Sequence, residues 1–135
     1  MAGAAIVAIV DDDVSLQQSL PALIKQFGFE TRAFLSAEDF LASDCVDQPK
    51  CLILDVSMPG MSGPDLQQEL VRRGQRIPIV FITGQPDETL RRRLLADGAV
   101  ECLSKPFNAT ALLNALNTAM KSTDPGSQTD ALPAS

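Results

Sequence analysis

Four acidic residues stand where chemistry can gather. Asp11, Asp12 and Asp13 follow one apolar run and Asp55 follows another, while Thr83 and Gly84 close a third and Lys105–Pro106 follows a weaker one. Two carboxylates held about 4 Å apart repel by roughly 4 kcal/mol at an effective dielectric of about 20, so a cluster of Asp11, Asp12 and Asp55 demands a cation or a shifted protonation. Lys105 supplies one positive charge. A divalent ion would supply the rest, and an oxygen-only donor set selects Mg²⁺ or Mn²⁺ over zinc. Because Mg²⁺ keeps several waters and joins phosphate oxygens, the matching reaction class is phosphoryl transfer. Asp55 is then the nucleophile that attacks phosphorus in line and becomes an acyl phosphate. Asp12 binds the metal directly, Asp11 directly or through water, and Lys105 and the Thr83 hydroxyl hold phosphoryl oxygens with Gly84 leaving room. Taken singly, each residue has an ordinary explanation: Asp13 as a helix cap, Asp55 as a loop carboxylate, Thr83 as a strand former, Lys105 as a surface cation. Only their joint placement sets them apart.

That placement depends on the elements around them. Apolar, β-branched runs at 6–10, 51–54 and 79–82 are too short for helices and apolar on both faces, as strands buried in a parallel sheet are. Weaker candidates lie at 30–34, flanked by Gly28, and at 100–103, after a helix-stopping Gly98. Between them, Leu16, Leu20, Leu23, Ile24 and Phe27 form one helical stripe. Further helices are predicted at 36–42 with Ser36 as cap, 64–73 between Pro64 and Gly74, 87–97 opening on Asp87 and Glu88, and 108–121 burying Leu112, Leu113 and Leu116. The alternation predicts a flavodoxin-like (βα)5 fold, a doubly wound parallel sheet with strand order 2-1-3-4-5. Ligands of such sheets bind beyond the carboxyl ends of the strands where the order reverses, and all the reactive side chains fall on that rim.

The chain has 135 residues, enough for one domain with a real core, over 1–121; residues 122–135 turn to Ser, Thr, Asp, Pro and Gly and read as a flexible tail or interdomain linker. A net charge of −6 argues against direct nucleic-acid binding by this segment. The longest uninterrupted apolar run, residues 4–10, is far short of the roughly 20 residues of a membrane span, and no Lys or Arg precedes Lys25, so a cytoplasmic protein is expected. Cys45, Cys51 and Cys102 form no C-x-x-C pair and are read as reduced thiols. The absence of histidine removes zinc clusters and Ser-His or Cys-His nucleophiles, leaving carboxylates, hydroxyls and Lys.

Over 6–120 the chain resembles the receiver domains of two-component response regulators. IVDDD at 9–13, LDVSMPGMSG at 54–63, VFITG at 80–84 and SKPF at 104–107 are similar to the four signatures of that family, in order and spacing. MPGMSG, ITG and KPF most resemble the FixJ or NarL class, whose outputs are commonly DNA-binding helix-turn-helix domains. The resemblance implies that Asp55 accepts a phosphoryl group from a sensor histidine kinase or phosphotransfer protein, that Asp11 and Asp12 serve Mg²⁺ with the backbone carbonyl of Ser57, that Thr83 and Lys105 bind phosphate, and that Lys105–Pro106 is cis. It implies a self-phosphorylating and self-dephosphorylating switch without independent substrate turnover, in which Ser57 and Gln85 tune water access.

One position departs from the pattern: Cys102 stands where the family commonly has the aromatic residue that turns inward with Thr83. A small thiol there leaves a pocket open and shifts the switch toward the fourth helix. The run of Arg91, Arg92 and Arg93 reads either as a solvated face or as half of a phosphorylation-dependent homodimer surface on the fourth helix, fifth strand and fifth helix. Two other functions compete. A phosphorylation-independent interaction module is set against by the intact acid set, and a metal-dependent phosphatase with an aspartyl nucleophile would want a second acid where Ser57 stands.

Overall fold

The computed structural model describes residues 5–44, 46, 48–85 and 87–122. Cys45 and residues 123–135 of the tail expected over 122–135 lie outside them, while Ser122 ends the last helix. Five strands, β1 (Ile6–Val10), β2 (Glu30–Phe34), β3 (Cys51–Asp55), β4 (Ile79–Thr83) and β5 (Glu101–Ser104), alternate with α1 (Val14–Gln26), α2 (Ala37–Ala42), α3 (Gly63–Arg72), α4 (Glu88–Ala96) and α5 (Ala109–Ser122). Every pairing is parallel and the order is β2-β1-β3-β4-β5, the flavodoxin-like arrangement.

Side-chain alternation splits the core into two layers. Ala8, Val10, Leu52, Leu54 and Phe81 face α2, α3 and α4, where they meet Phe40, Leu66, Leu70 and Leu94. Val7, Ile9, Ile53, Val80 and Ile82 face α1 and α5, where they meet Leu20, Ile24, Leu112 and Leu116. Each of the interior strands β1, β3 and β4 is therefore buried on both sides, whereas the two edge strands, β2 and β5, carry mostly partial or full exposure.

The sequence boundaries shift by a residue in several places. β3 and β4 extend past 54 and 82 to take in Asp55 and Thr83, because the ladder pairs backbones whatever side chains they carry: Asp55 lies opposite Ile82 and Thr83 opposite Ser104. β5 starts at Glu101 rather than 100. The predicted core position Leu113 is only half-buried, since Ala115 and Ala119 share the inward stripe with Leu112 and Leu116. Pro21 lies inside α1, which continues through it while Leu20 and Ile24 stay buried against the sheet.

The helices begin on side-chain caps. Asp13 and Asp87 cap α1 and α4, Ser36 caps α2, and Ser62 with Asp65 forms a reciprocal capping box on α3. Gly98, at φ +111°, closes α4 by turning Ala99 N–H back to Leu94 O at 3.0 Å. Gly63 has a different reason. A Cβ there would stand 2.3 Å from the Asp55 carbonyl oxygen and 3.1 Å from the Phe81 ring, so the first turn of α3 rests directly on the end of β3.

Candidate functional site

The sheet order reverses between β1 and β3, so the residue that follows β1 and the residue that ends β3 share one rim. These are Asp11, with no exposed surface, and Asp55, 5% exposed. The loop from β1 to α1 adds the exposed Asp12, and one carboxylate oxygen from each of Asp11, Asp12 and Asp55 lies within 4.8 Å of the others. From the far side β5 delivers Lys105, its ammonium 3.0 Å from Asp11 Oδ2 and 3.9 Å from Asp55 Oδ1. The Lys105–Pro106 peptide is cis.

Three carboxylates against one ammonium leave the cluster negative. Burial, then the neighbouring Asp11, pushes the Asp55 carboxyl up to about 6, against the opposing pull of Lys105 and the Ser57 amide. Burial draws the Lys105 ammonium down, but Asp11, then Asp55 and Asp13, outweigh it and hold it above its ordinary value. Asp11 Oδ1 accepts the Asp13 N–H at 2.8 Å, whereas Oδ2 has no well-aligned hydrogen bond among the described residues and lies 3.0 Å from the Lys105 ammonium. Clustered hard oxygens, an under-satisfied buried carboxylate oxygen and a surplus negative charge together fit Mg²⁺ or Mn²⁺.

The other residues singled out in the sequence divide. Asp13 stands apart from the cluster as a helix cap, its Oδ1 accepting from Ser15 N–H at 2.9 Å and Leu16 N–H at 3.4 Å. Ser57 is exposed beside the site and its N–H points to Asp55 Oδ1 at 3.4 Å. Thr83 lies on the rim, 6% exposed, but its hydroxyl is turned to Gln85, accepting from the amide at 3.1 Å and donating to the carbonyl at 3.2 Å. Space above Gly84 is open, and a Cβ there would meet nothing within 4 Å.

Residues 7–117 match the response regulator receiver domain family. The chain belongs to that family. It is 47% identical over 112 residues to nodulation protein W of Bradyrhizobium diazoefficiens, covering 83% of this chain and 49% of that protein. Among solved structures, response regulator StyR matches with a TM-score of 0.84 at 38% identity, covering 98% of this chain and 67% of that one. FixJ-N matches with a TM-score of 0.79 at 34% identity, covering 90% and 96%, which supports the FixJ-like class. This receiver domain spans about half the length of the curated relatives it matches.

Cys102 packs opposite Phe81 at the end of the α2–α4 core, and burial raises its thiol; Cys51, buried on the other face, is pushed up to about 12 by burial. A cavity of about 200 Å³ beside Cys102 is walled by Thr83, Asp87, Leu90, Arg91 and Ser104. Arg91, on its wall, pairs with Glu101 at 3.0 Å, and Glu88 lies 3.8 Å from Arg91 and 3.5 Å from Arg92. Two of the three arginines of the run are thus engaged within the chain.

Two contacts at the rim were not visible in the sequence. Glu38 of α2 accepts the Met61 N–H at 3.0 Å, tying down the loop after Asp55 across 23 residues, and the Gln17 amide reaches back to the ends of β1 and β2. Neither pair carries a local spacing signal, because both are made only when the sheet has assembled. The described helices include none long and apolar enough to cross a membrane.

Proposed function

We propose that this receiver domain is a phosphorylation-controlled switch in two-component signalling in which Asp55 accepts a phosphoryl group from a sensor histidine kinase or phosphotransfer protein. The observation that carries the reading is the gathering of Asp11, Asp12 and Asp55 within 4.8 Å, with Lys105 against two of them. Asp11, Asp12 and Asp55, with the Ser57 carbonyl, would hold Mg²⁺, or Mn²⁺ in its place. Bound there, the ion supplies charge neutralisation and a template for phosphoryl oxygens.

An Asp55 carboxylate oxygen forms the new bond to phosphorus as the P–N bond of a phosphohistidine breaks and the imidazole leaves with the electron pair, giving an acyl phosphate. Lys105, already at the rim, meets the incoming negative oxygens. The Thr83 hydroxyl exchanges its bonds to Gln85 for one to a phosphoryl oxygen, and the Gln85 loop at the start of α4 responds. Ser57 and Gln85 flank the acyl phosphate and govern water access to it. The chemistry ends on the chain itself and turns over no separate substrate.

A donor reaches Asp55 only over the rim, and beside it lies a groove of about 570 Å³ lined by Leu16, Leu20, Leu23, Lys105, Pro106 and Phe107. Val14, 55% exposed at the start of α1, offers a further apolar surface next in the chain to the acids. This is where the donor's helices would seat. Phosphorylation-dependent pairing through α4, β5 and α5 belongs to the same reading, with control of transcription carried by an output domain. Sedimentation showing one monomeric species with and without a phosphoryl mimic removes the pairing.

Intact-mass analysis after treatment with acetyl phosphate and Mg²⁺ tests the central step. Wild type gains one phosphoryl group and Asp55→Asn gains none. An equal adduct in the variant removes Asp55 from this role.

A further inference from the structure

Gln17 sits in the first turns of α1, yet its side chain points back under the helix start. Its Nε2 donates to the Asp11 carbonyl at 3.0 Å and to the Phe34 carbonyl, and lies 3.5 Å from the Ile9 carbonyl. The orientation of the amide is fixed by these partners: turning it over would set Oε1 against carbonyl oxygens, and Oε1 instead stays buried with no partner among the described residues. The Phe34 carbonyl also receives the Asp11 N–H at 3.1 Å, so one side-chain amide closes the ladder where β1 and β2 end.

That closure lies directly behind the acids. Asp11 and Asp12 occupy the first two positions after β1, and their carboxylates repel each other and Asp55 whenever no dication is bound. A loop free to relax would spread them, and a dication would then have to regather them at the expense of its affinity. We propose that Gln17 is a positioning residue for the acid cluster, bracing the carbonyl end of β1 so that Asp11 and Asp12 are already gathered when a divalent cation arrives. The amide suits this place because it donates to carbonyls without bringing a positive charge that would compete with the cation. The inference rests on the reading of the cluster as a Mg²⁺ site and names the residue that sets its affinity.

Calorimetric titration with MgCl₂ of the whole chain tests it, comparing wild type, Gln17→Met and, as a control on the exposed side of α1, Ser19→Ala. Gln17→Met keeps the length and loses both donors, and its Mg²⁺ dissociation constant rises about tenfold, as expected for losing one buried hydrogen-bonding arrangement. Amide NMR shows the same change without metal: the Asp13 N–H, which donates to Asp11 Oδ1, broadens in the variant and sharpens again on adding Mg²⁺. If Gln17→Met does not fold, Gln17→Asn, which keeps the amide one methylene short of the carbonyls, takes its place with the same expectation. A folded variant with a lower urea midpoint but a Mg²⁺ constant within about twofold of wild type shows a merely structural role and overturns the proposal. A wild-type chain that takes up no Mg²⁺ removes the underlying site reading, and that failure is recognisable because it appears before any variant is compared.

Discussion

The rim between β1 and β3 and the corner between α4 and β5 are built in opposite ways. At the rim, buried Asp11 is held on its amide, its carbonyl and its carboxylate, by Phe34, Gln17, Asp13 and Lys105. At the corner, α4 buries a single residue, Leu94, borders a cavity of about 200 Å³ and is tied to β5 by the Arg91–Glu101 ion pair. Fixed dipoles and charges are useful where charge develops in a reaction, since they need no reorganisation. Sparse burial and exposed ion pairs are useful where a segment must change place at low cost. Thr83 joins the two, on the rim by position and bonded to the α4 loop through Gln85.

The contrast can be broken at several points. The largest effect is expected on the rim: Lys105→Met lowers the rate of acyl phosphate formation from acetyl phosphate about 100-fold while the fold persists, because a charged oxyanion partner is lost. A rate within about threefold of wild type in rapid-quench measurements would detach Lys105 from the chemistry.

A smaller effect concerns the metal-free protein. Folded Asp55 takes up its proton near pH 6 and the unfolded carboxyl near 3.8, so the folded state binds more protons between those values. Stability without metal therefore falls as pH rises from about 4 through 6 and remains lower above that window. Urea midpoints that rise over that interval, or a Mg²⁺ stabilisation that is no greater at about pH 7 than at about pH 5, contradict the repulsive cluster.

At the corner, Cys102→Phe sharpens the comparison. The ring enters existing space, so stability changes by about 1 kcal/mol or less, and exchange broadening of α4 amides decreases. A loss above about 3 kcal/mol would show that the space is not there to fill. The smallest effect belongs to Arg91→Ala. An ion pair whose partners are 41% and 35% exposed contributes less than about 1 kcal/mol to overall stability, but its removal speeds hydrogen exchange in α4 and not in α1. Equal exchange in both helices would dissolve the distinction between the two regions.

Much of this was legible in residue order. Three doubly buried strands read as unbroken apolar runs, and residues that terminate strands land on one rim whenever the sheet is parallel. Asp11, Asp12, Asp55 and Lys105 could thus be brought together on paper although 94 residues separate the first from the last. Strand ends were less legible, because Asp55 and Thr83 pair by backbone and leave no apolar signal. Leu113 was misplaced for a related reason: a helix buries whichever of its residues the neighbouring strands leave room for, and alanines fit closer to β3 and β4 than leucine. Gln17 and Glu38 act on carbonyl and amide groups far along the chain, and nothing in their immediate neighbours announces it.

The contact between Gly63 and the Asp55 carbonyl has a bearing on which way a signal can travel. With no room for even one carbon between them, and with Gly63 N–H bonded to Val56 O at 3.0 Å, the first turn of α3 is fixed to the end of β3. On the proposed function, a helix fixed in this way to the strand that carries Asp55 would not report a phosphoryl group there by moving relative to it. News of that group would leave sideways, through the neighbouring strand, and a bulkier residue at position 63 would act by prying open this anchor rather than by touching the chemistry.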